Sequence, residues 1–104
     1  MRRFGQVAEL KPGMVGEYRA LHARVWPEVL KTITECNISN YSIYLRGTQL
    51  FSYFEYTGND YEADMRRMAE DPATQEWWTH THPCFLGDMD GTYYLEMEEL
   101  LHHP

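Results

Sequence analysis

Pro27 interrupts the longest helical pattern in the chain. Between residues 14 and 36, side chains suited to one helix face recur at steps of three and four: Val15, Tyr18, His22, Val25, Val29 and Ile33. A proline inside a helix removes a backbone donor and clashes with the preceding turn, but it is well tolerated in a first turn. The sequence therefore predicts two abutting helices, with a bend or restart near Trp26, rather than one straight rod.

Strand patterns flank this helical stretch on both sides. Residues 3 to 10 predict a short first strand, which a Lys11-Pro12-Gly13 turn ends. Residues 38 to 58 are rich in Ile, Tyr and Phe, and Gly47-Thr48 near their middle predicts a hairpin. Because strand side chains alternate, each hairpin strand has two faces. The first strand carries Tyr41, Ile43 and Leu45 on one face, and on the second Phe51, Tyr53 and Glu55 oppose Leu50, Ser52, Phe54 and Tyr56.

The second half of the chain repeats this alternation of helix and strand. Asp60 is a suitable cap for a helix over residues 61 to 71, and another helix runs from Pro72 to about His80, before Pro83. Residues 84 to 91 read as a loop, and residues 92 to 103 alternate as a closing strand does. The order β-α-β-β-α-β predicts an α+β protein of the ferredoxin-like class, a sandwich with a four-stranded antiparallel sheet. At this length we expect one domain over residues 1–104.

Charge and composition exclude several classes of partner. Sixteen acidic residues against nine basic ones give a net charge of −7, which argues against nucleic acid and against an anionic membrane surface. Cys36 and Cys84 have neither metal-ligand spacing nor the density of a disulfide scaffold, and His80 and His82 lack a third ligand cluster. We expect no metal. Without a membrane-length apolar run or a signal-peptide core, the sequence favours the cytoplasm.

Two aromatic groups are candidates for a binding site. One helix face carries a slightly spiralling row of three side chains, Tyr18, His22 and Trp26. The row fits either a packed core or the wall of a binding site into which O–H and N–H groups project. Trp77 and Trp78 are adjacent and point about 100° apart on a helix, so both cannot face the core equally. One packs, while the other lines a cleft or an interface.

Five segments together resemble the L-rhamnose mutarotase family: "EYRALHARVWPEV", "NYSIYL", "LFSYFEY", "DPATQEWW" and the closing "MEELLHH". The resemblance covers nearly the whole chain and implies the dimeric α+β barrel group, in which two protomers pack their sheets face to face as a homodimer. It implies a monosaccharide substrate and no cofactor. It also implies that His22 is the proton donor and that Tyr18, Tyr41, Trp77 and Trp78 contact the sugar. Residues 79 to 94 depart from the better-studied bacterial members, and we expect this segment to close over the ligand.

The implied reaction interconverts the α and β anomers of a pyranose through the open aldehyde. It needs one acid and one base, and histidine suits the acid because its pKa lies near neutrality. The sequence leaves the base open between an ordered water and a carboxylate such as Glu55 or Glu98. It also leaves three alternatives: a haem-degrading or aromatic-compound monooxygenase on the same scaffold, a sugar-binding module without turnover, and an interaction domain anchored by the Trp pair.

Overall fold

The computed structural model describes residues 1–87 and 93–104. Its strands are β1 (Arg2–Glu9), β2 (Ile38–Arg46), β3 (Gln49–Tyr56) and β4 (Leu95–Met97). Its helices are α1 (Val15–His22), α2 (Pro27–Glu35), α3 (Tyr61–Glu70) and α4 (Pro72–Thr81), with short 3-10 turns at Pro12–Met14 and His82–Cys84. None of these helices is long and apolar enough to cross a membrane.

The four strands form one antiparallel sheet in the order β2-β3-β1-β4. Leu50, Ser52, Phe54 and Tyr56 of β3 are buried under the helices, whereas Phe51, Tyr53 and Glu55 lie on the opposite face, which we call the open face. The ferredoxin-like α+β prediction is confirmed, and so is the alternation predicted for β3.

Pro27 acts as the sequence predicts. Trp26 takes an extended conformation (φ −64°, ψ 134°), because a proline disfavours the helical region for the residue before it, and α2 begins at Pro27. Helix α1 has already ended at His22, so two helices replace one rod. The predicted cap is also present, since the Asp60 carboxylate accepts a hydrogen bond from the backbone N–H of Ala63 at 3.1 Å.

Two sequence-based predictions need correction at the end of the chain. Of the predicted closing strand over residues 92 to 103, residue 92 lies outside the described residues, and within residues 93 to 103 the pairing with β1 covers Leu95–Met97 alone. The predicted loop over residues 84 to 91 begins inside a 3-10 turn, and Phe85 makes an isolated bridge to Leu10. Residues 88 to 91 of that prediction lie outside the described residues.

A β-bulge in β2 decides where Tyr41 points. The register with β3 shifts between Ser39 and Ser42, and Asn40 adopts a left-handed φ of +49°. The Asn40 amide then donates to Glu55 on the open face at 2.6 Å, and the Tyr41 ring contacts Phe54 on the helix side at 5.7 Å. The extra residue thus turns Tyr41 toward the helices.

A buried carboxylate attaches α3 to the sheet. Asp64 accepts hydrogen bonds from the Tyr56 hydroxyl at 2.6 Å and from the Asn37 amide at 2.9 Å. These two bonds, the Tyr56 bond foremost, lower the pKa of Asp64 and keep it ionised although its residue is buried. Helix α4, which carries the Trp pair, follows α3 directly and packs against it.

Candidate active site

A cavity of about 610 Å³ lies between the helix side of the sheet and helices α1, α2 and α4. Its polar lining consists of phenols, indoles, an imidazole, a guanidinium and a hydroxyl: Tyr18, Tyr41, Trp77, Trp78, His22, Arg19 and Thr74. The remaining lining is apolar: Ala23, Val25, Val29, Leu30, Ile33, Ile43, Leu45, Leu50 and Met68. All five site residues predicted from the sequence therefore meet at one cavity.

His22 stands in the last turn of α1 with its ring held on three sides. Nδ1 lies 3.0 Å from the backbone carbonyl oxygen of Tyr18, the Tyr18 ring stacks on the imidazole at 4.1 Å, and Trp77 meets it edge-on at 5.4 Å. A carbonyl only accepts, so Nδ1 carries the hydrogen and Nε2 is left as the free nitrogen of the neutral ring. Burial lowers the pKa of His22 more than the carbonyl bond raises it.

Two tyrosines, Tyr18 and Tyr41, line the cavity, and a third, Tyr94, is bonded to one of them. The hydroxyls of Tyr18 and Tyr94 lie 3.2 Å apart and share a hydrogen bond. Burial raises the pKa of Tyr18 to about 12 and also raises the pKa values of Tyr41 and Tyr94. All three phenols therefore remain protonated near neutral pH, where they can donate hydrogen bonds but cannot serve as bases.

Tyr94 is the residue that sequence analysis missed. It appeared only as one member of an alternating pattern in the closing segment, with nothing to connect it to Tyr18, 76 positions earlier. The connection depends on the pairing of β4 with β1, which brings the end of the chain beside the cavity.

The two adjacent tryptophans differ in burial, as expected for neighbouring residues that point about 100° apart on a helix. Trp77 is only 6% exposed and lies edge-on against both His22 and Trp26, at 5.4 and 5.2 Å. Trp78 is half-buried, lines the cavity from its rim, and stacks on His82 at 5.2 Å. Trp26 packs against Trp77 and His80 and does not line the cavity, so the Tyr18-His22-Trp26 row is part site and part scaffold.

The proposed carboxylate bases do not reach this cavity within one chain. Glu55 lies on the open face, where it accepts from Asn40 and from the Tyr53 hydroxyl at 2.7 Å. Glu98 is exposed and follows the end of β4. Among the described residues, no carboxylate lines the cavity and no group of His, Cys, Asp and Glu is arranged to hold a metal ion.

Replacing each tryptophan separately tests whether Trp77 is the packed residue and Trp78 the partly exposed one. Trp77→Ala removes a buried ring that supports His22, and we expect it to lower the free energy of unfolding by about 3–5 kcal/mol. Trp78→Ala is the matched control, because the same change at the half-buried rim position removes less packing. Urea unfolding measures both, and an equal loss in the two variants would contradict the assignment.

Comparison with known proteins agrees with this architecture. A family model described as L-rhamnose mutarotase matches residues 3–102. An L-rhamnose mutarotase of Sinorhizobium fredii is 37% identical over 82 residues, which are 77% of this chain and 76% of the relative. One of Lactiplantibacillus plantarum is 30% identical over 105 residues, 98% of each chain.

Solved structures place the fold in the same group. The crystal structure of an L-rhamnose mutarotase from Formosa agariphila matches with a TM-score of 0.80 at 20% identity, over 100% of both chains. Tetracenomycin F2 cyclase from Streptomyces glaucescens matches over 100% of both chains with a TM-score of 0.65 at 14% identity, which shows a shared fold alone. The family model and the sequence relatives decide the assignment: the chain belongs to the L-rhamnose mutarotase family and is an enzyme of the isomerase class.

Proposed function

We propose that this protein is a sugar mutarotase that interconverts the α and β anomers of L-rhamnose or a related pyranose in the cavity described above. The observation that carries the proposal is the half-buried imidazole of His22, which lines a mostly apolar and aromatic cavity and whose Nε2 is the unprotonated nitrogen of the neutral ring. A volume of about 610 Å³ falls within the range of about 300–1,000 Å³ typical of small-molecule sites and accommodates a monosaccharide.

His22 suits a reaction that moves one proton between two neighbouring oxygens. Because burial lowers its pKa, the neutral ring prevails near neutral pH with a lone pair on Nε2. In our proposal Nε2 takes the proton of the anomeric hydroxyl and delivers it to the ring oxygen as the bond between C1 and that oxygen breaks. The product is the open aldehyde, and His22 returns to its neutral state.

Closure reverses these proton transfers. After rotation about C1–C2, Nε2 removes the proton from the former ring oxygen and returns it to the carbonyl oxygen, which yields the other anomer. His22 is thus the proton donor for ring opening, as the family resemblance implies, and the proton comes from the substrate. This arrangement accounts for a cavity in which no described lining residue is a carboxylate.

The remaining predicted residues bind and orient the sugar in this proposal. The protonated hydroxyls of Tyr18 and Tyr41 donate to sugar hydroxyls, and the indoles of Trp77 and Trp78 contact the apolar C–H faces of the ring. The reaction moves protons and exchanges one C–O bond, with no change in oxidation state of the sugar as a whole. It therefore requires no redox cofactor.

The role of His22 is tested by His22→Ala in an NMR exchange assay on equilibrated L-rhamnose, L-fucose and D-galactose. We expect the catalysed anomer exchange to fall by about 10²- to 10⁴-fold, the usual contribution of a positioned acid or base. His80→Ala is the matched control, because His80 is exposed and does not line the cavity. Full activity in a folded His22→Ala variant would exclude the role, and a wild-type protein that accelerates none of these sugars would exclude the function.

We further propose that two copies pair through the open face of the sheet. Apolar side chains remain exposed there, with Tyr44 at 66%, Leu95 at 64% and Met97 at 41%, and a small domain gains burial from a partner. The segment after β4 adds Leu100 and Leu101, which are 86% and 85% exposed. Both observations support a homodimer.

Light scattering on the purified protein tests the pairing. We expect twice the mass of one chain for the wild type and a single chain for Leu95→Asp, because a carboxylate on the open face would be buried without a partner. Leu86→Asp makes the same change at a residue that is 53% exposed and lies outside the four strands, and it should stay dimeric. A monomeric wild type, or a dimeric Leu95→Asp, would contradict the proposal.

A further inference from the structure

The face of the Tyr18 ring lies against the imidazole of His22. The two ring centroids are 4.1 Å apart and the ring planes differ by 25°, so the imidazole is stacked on the π face of the phenol. Tyr18 is only 5% exposed, and Phe85 packs edge-on against it at 5.6 Å, which supports the ring in this position. The contact therefore joins a well-packed ring to the half-buried imidazole of the cavity.

The proposed reaction places a positive charge on this imidazole. When Nε2 takes the proton of the anomeric hydroxyl, His22 becomes an imidazolium and the negative charge stays on the sugar oxygen. The bond between C1 and the ring oxygen then breaks, an electron pair of the alkoxide forms the carbonyl, and the ring oxygen takes the proton from Nε2. His22 is thus charged between the two transfers, and its surroundings decide how easily that charge forms.

Few side chains in the cavity can stabilise an imidazolium. Among residues 1–87 and 93–104, no carboxylate lines the cavity, and its one permanently charged lining group, Arg19, is itself a cation. Helices α2, α3 and α4 contribute uncharged side chains to the lining, and β2 contributes the phenol of Tyr41, which remains protonated near neutral pH. Burial also disfavours the charged form of His22.

Three features of α1 favour the charge. The Tyr18 carbonyl oxygen lies 3.0 Å from Nδ1 and accepts a hydrogen bond that strengthens when the ring is charged. His22 also stands in the last turn of the helix, where the helix dipole favours a cation. The third feature is a side chain, because the face of an aromatic ring attracts a cation that lies within about 6 Å of its centroid. The Tyr18 ring meets this condition at 4.1 Å.

We propose that the π face of Tyr18 stabilises the imidazolium that His22 forms during proton transfer, so that Tyr18 acts on the chemical step through His22 in addition to contacting the sugar. The inference rests on the proposed function in one respect, which is that His22 is protonated in the course of the reaction. It gives the Tyr18 ring a task separate from that of its hydroxyl, which bonds to Tyr94.

Progressive fluorination of the ring at position 18 tests this role. Fluorine withdraws electrons from the π face and leaves the shape of the ring nearly unchanged, so it weakens a cation–π contact while packing is preserved. The series starts from Tyr18→Phe, which already lacks the hydroxyl, and continues with trifluoro- and pentafluorophenylalanine at the same position. The backbone bond to His22 is common to all members.

Two measurements are made on each member. NMR titration of labelled histidine gives the pKa of His22, whose resonance is identified by its loss in His22→Ala. From Tyr18→Phe to the pentafluoro ring we expect the acid dissociation constant of His22 to rise by about 2- to 30-fold, which is a fall in its pKa. Near pH 8, where the imidazole starts neutral, kcat for L-rhamnose should fall by a similar factor with little change in KM.

Pentafluorophenylalanine at Phe4 is the matched control. Phe4 is 3% exposed and stacks on Phe54 at 4.7 Å, so the change is made in an equally packed ring that does not line the cavity. It should alter neither the titration of His22 nor kcat. If the pentafluoro ring at position 18 prevents folding, the trifluoro ring, compared with Tyr18→Phe, gives the same test with a smaller change.

The outcomes separate this inference from the proposed function. A pKa of His22 that stays constant across the series would overturn the role of the π face, whether or not kcat falls, and would leave the mutarotase proposal intact. A falling pKa with an unchanged kcat in an active enzyme would overturn the effect on the chemical step. A falling pKa in a protein that accelerates the exchange of no sugar would uphold the stabilisation of charged His22 and remove the proposed function.

Discussion

The hydrogen bond between Nδ1 of His22 and the backbone carbonyl of Tyr18 is the interaction on which the site depends. Because the carbonyl can only accept, the 3.0 Å contact fixes which nitrogen carries the hydrogen and leaves Nε2 for the ligand. The stacked ring of Tyr18 and the edge of Trp77 hold the imidazole in place. The same burial lowers the pKa of His22, so one arrangement sets the orientation, the tautomer and the protonation state.

Pro27 and the bulge in β2 bring the other walls to this imidazole. A proline disfavours the helical conformation of the residue before it, and Trp26 is extended, with its ring against Trp77, the indole that supports His22. The bulge between Ser39 and Ser42 reverses the alternation of β2, so that Tyr41 faces the helices while Asn40 faces Glu55. Two local irregularities, one in the helical region and one in the sheet, thus complete the cavity.

Local signals in the sequence predict much of this arrangement. The restart at Pro27, the cap at Asp60 and the Gly47-Thr48 turn follow from neighbouring residues, and the alternation of β3 already separates Glu55 from the cavity face. The site residues were identified through the family resemblance rather than through spacing. What the sequence could not show depends on contacts between distant segments: the three-residue extent of β4 and the Tyr18–Tyr94 bond.

The pH dependence of kcat/KM for anomer exchange tests the central claim, that neutral His22 moves the proton. Measured by NMR exchange between about pH 4 and pH 8, with the uncatalysed rate subtracted, kcat/KM should rise through a pKa below the ordinary value of 6.5 and then stay level. The rise follows because burial lowers the pKa, so the neutral form accumulates as the pH increases through that value. A kcat/KM that falls with increasing pH over the same range would show that His22 must begin protonated, and it would contradict the account.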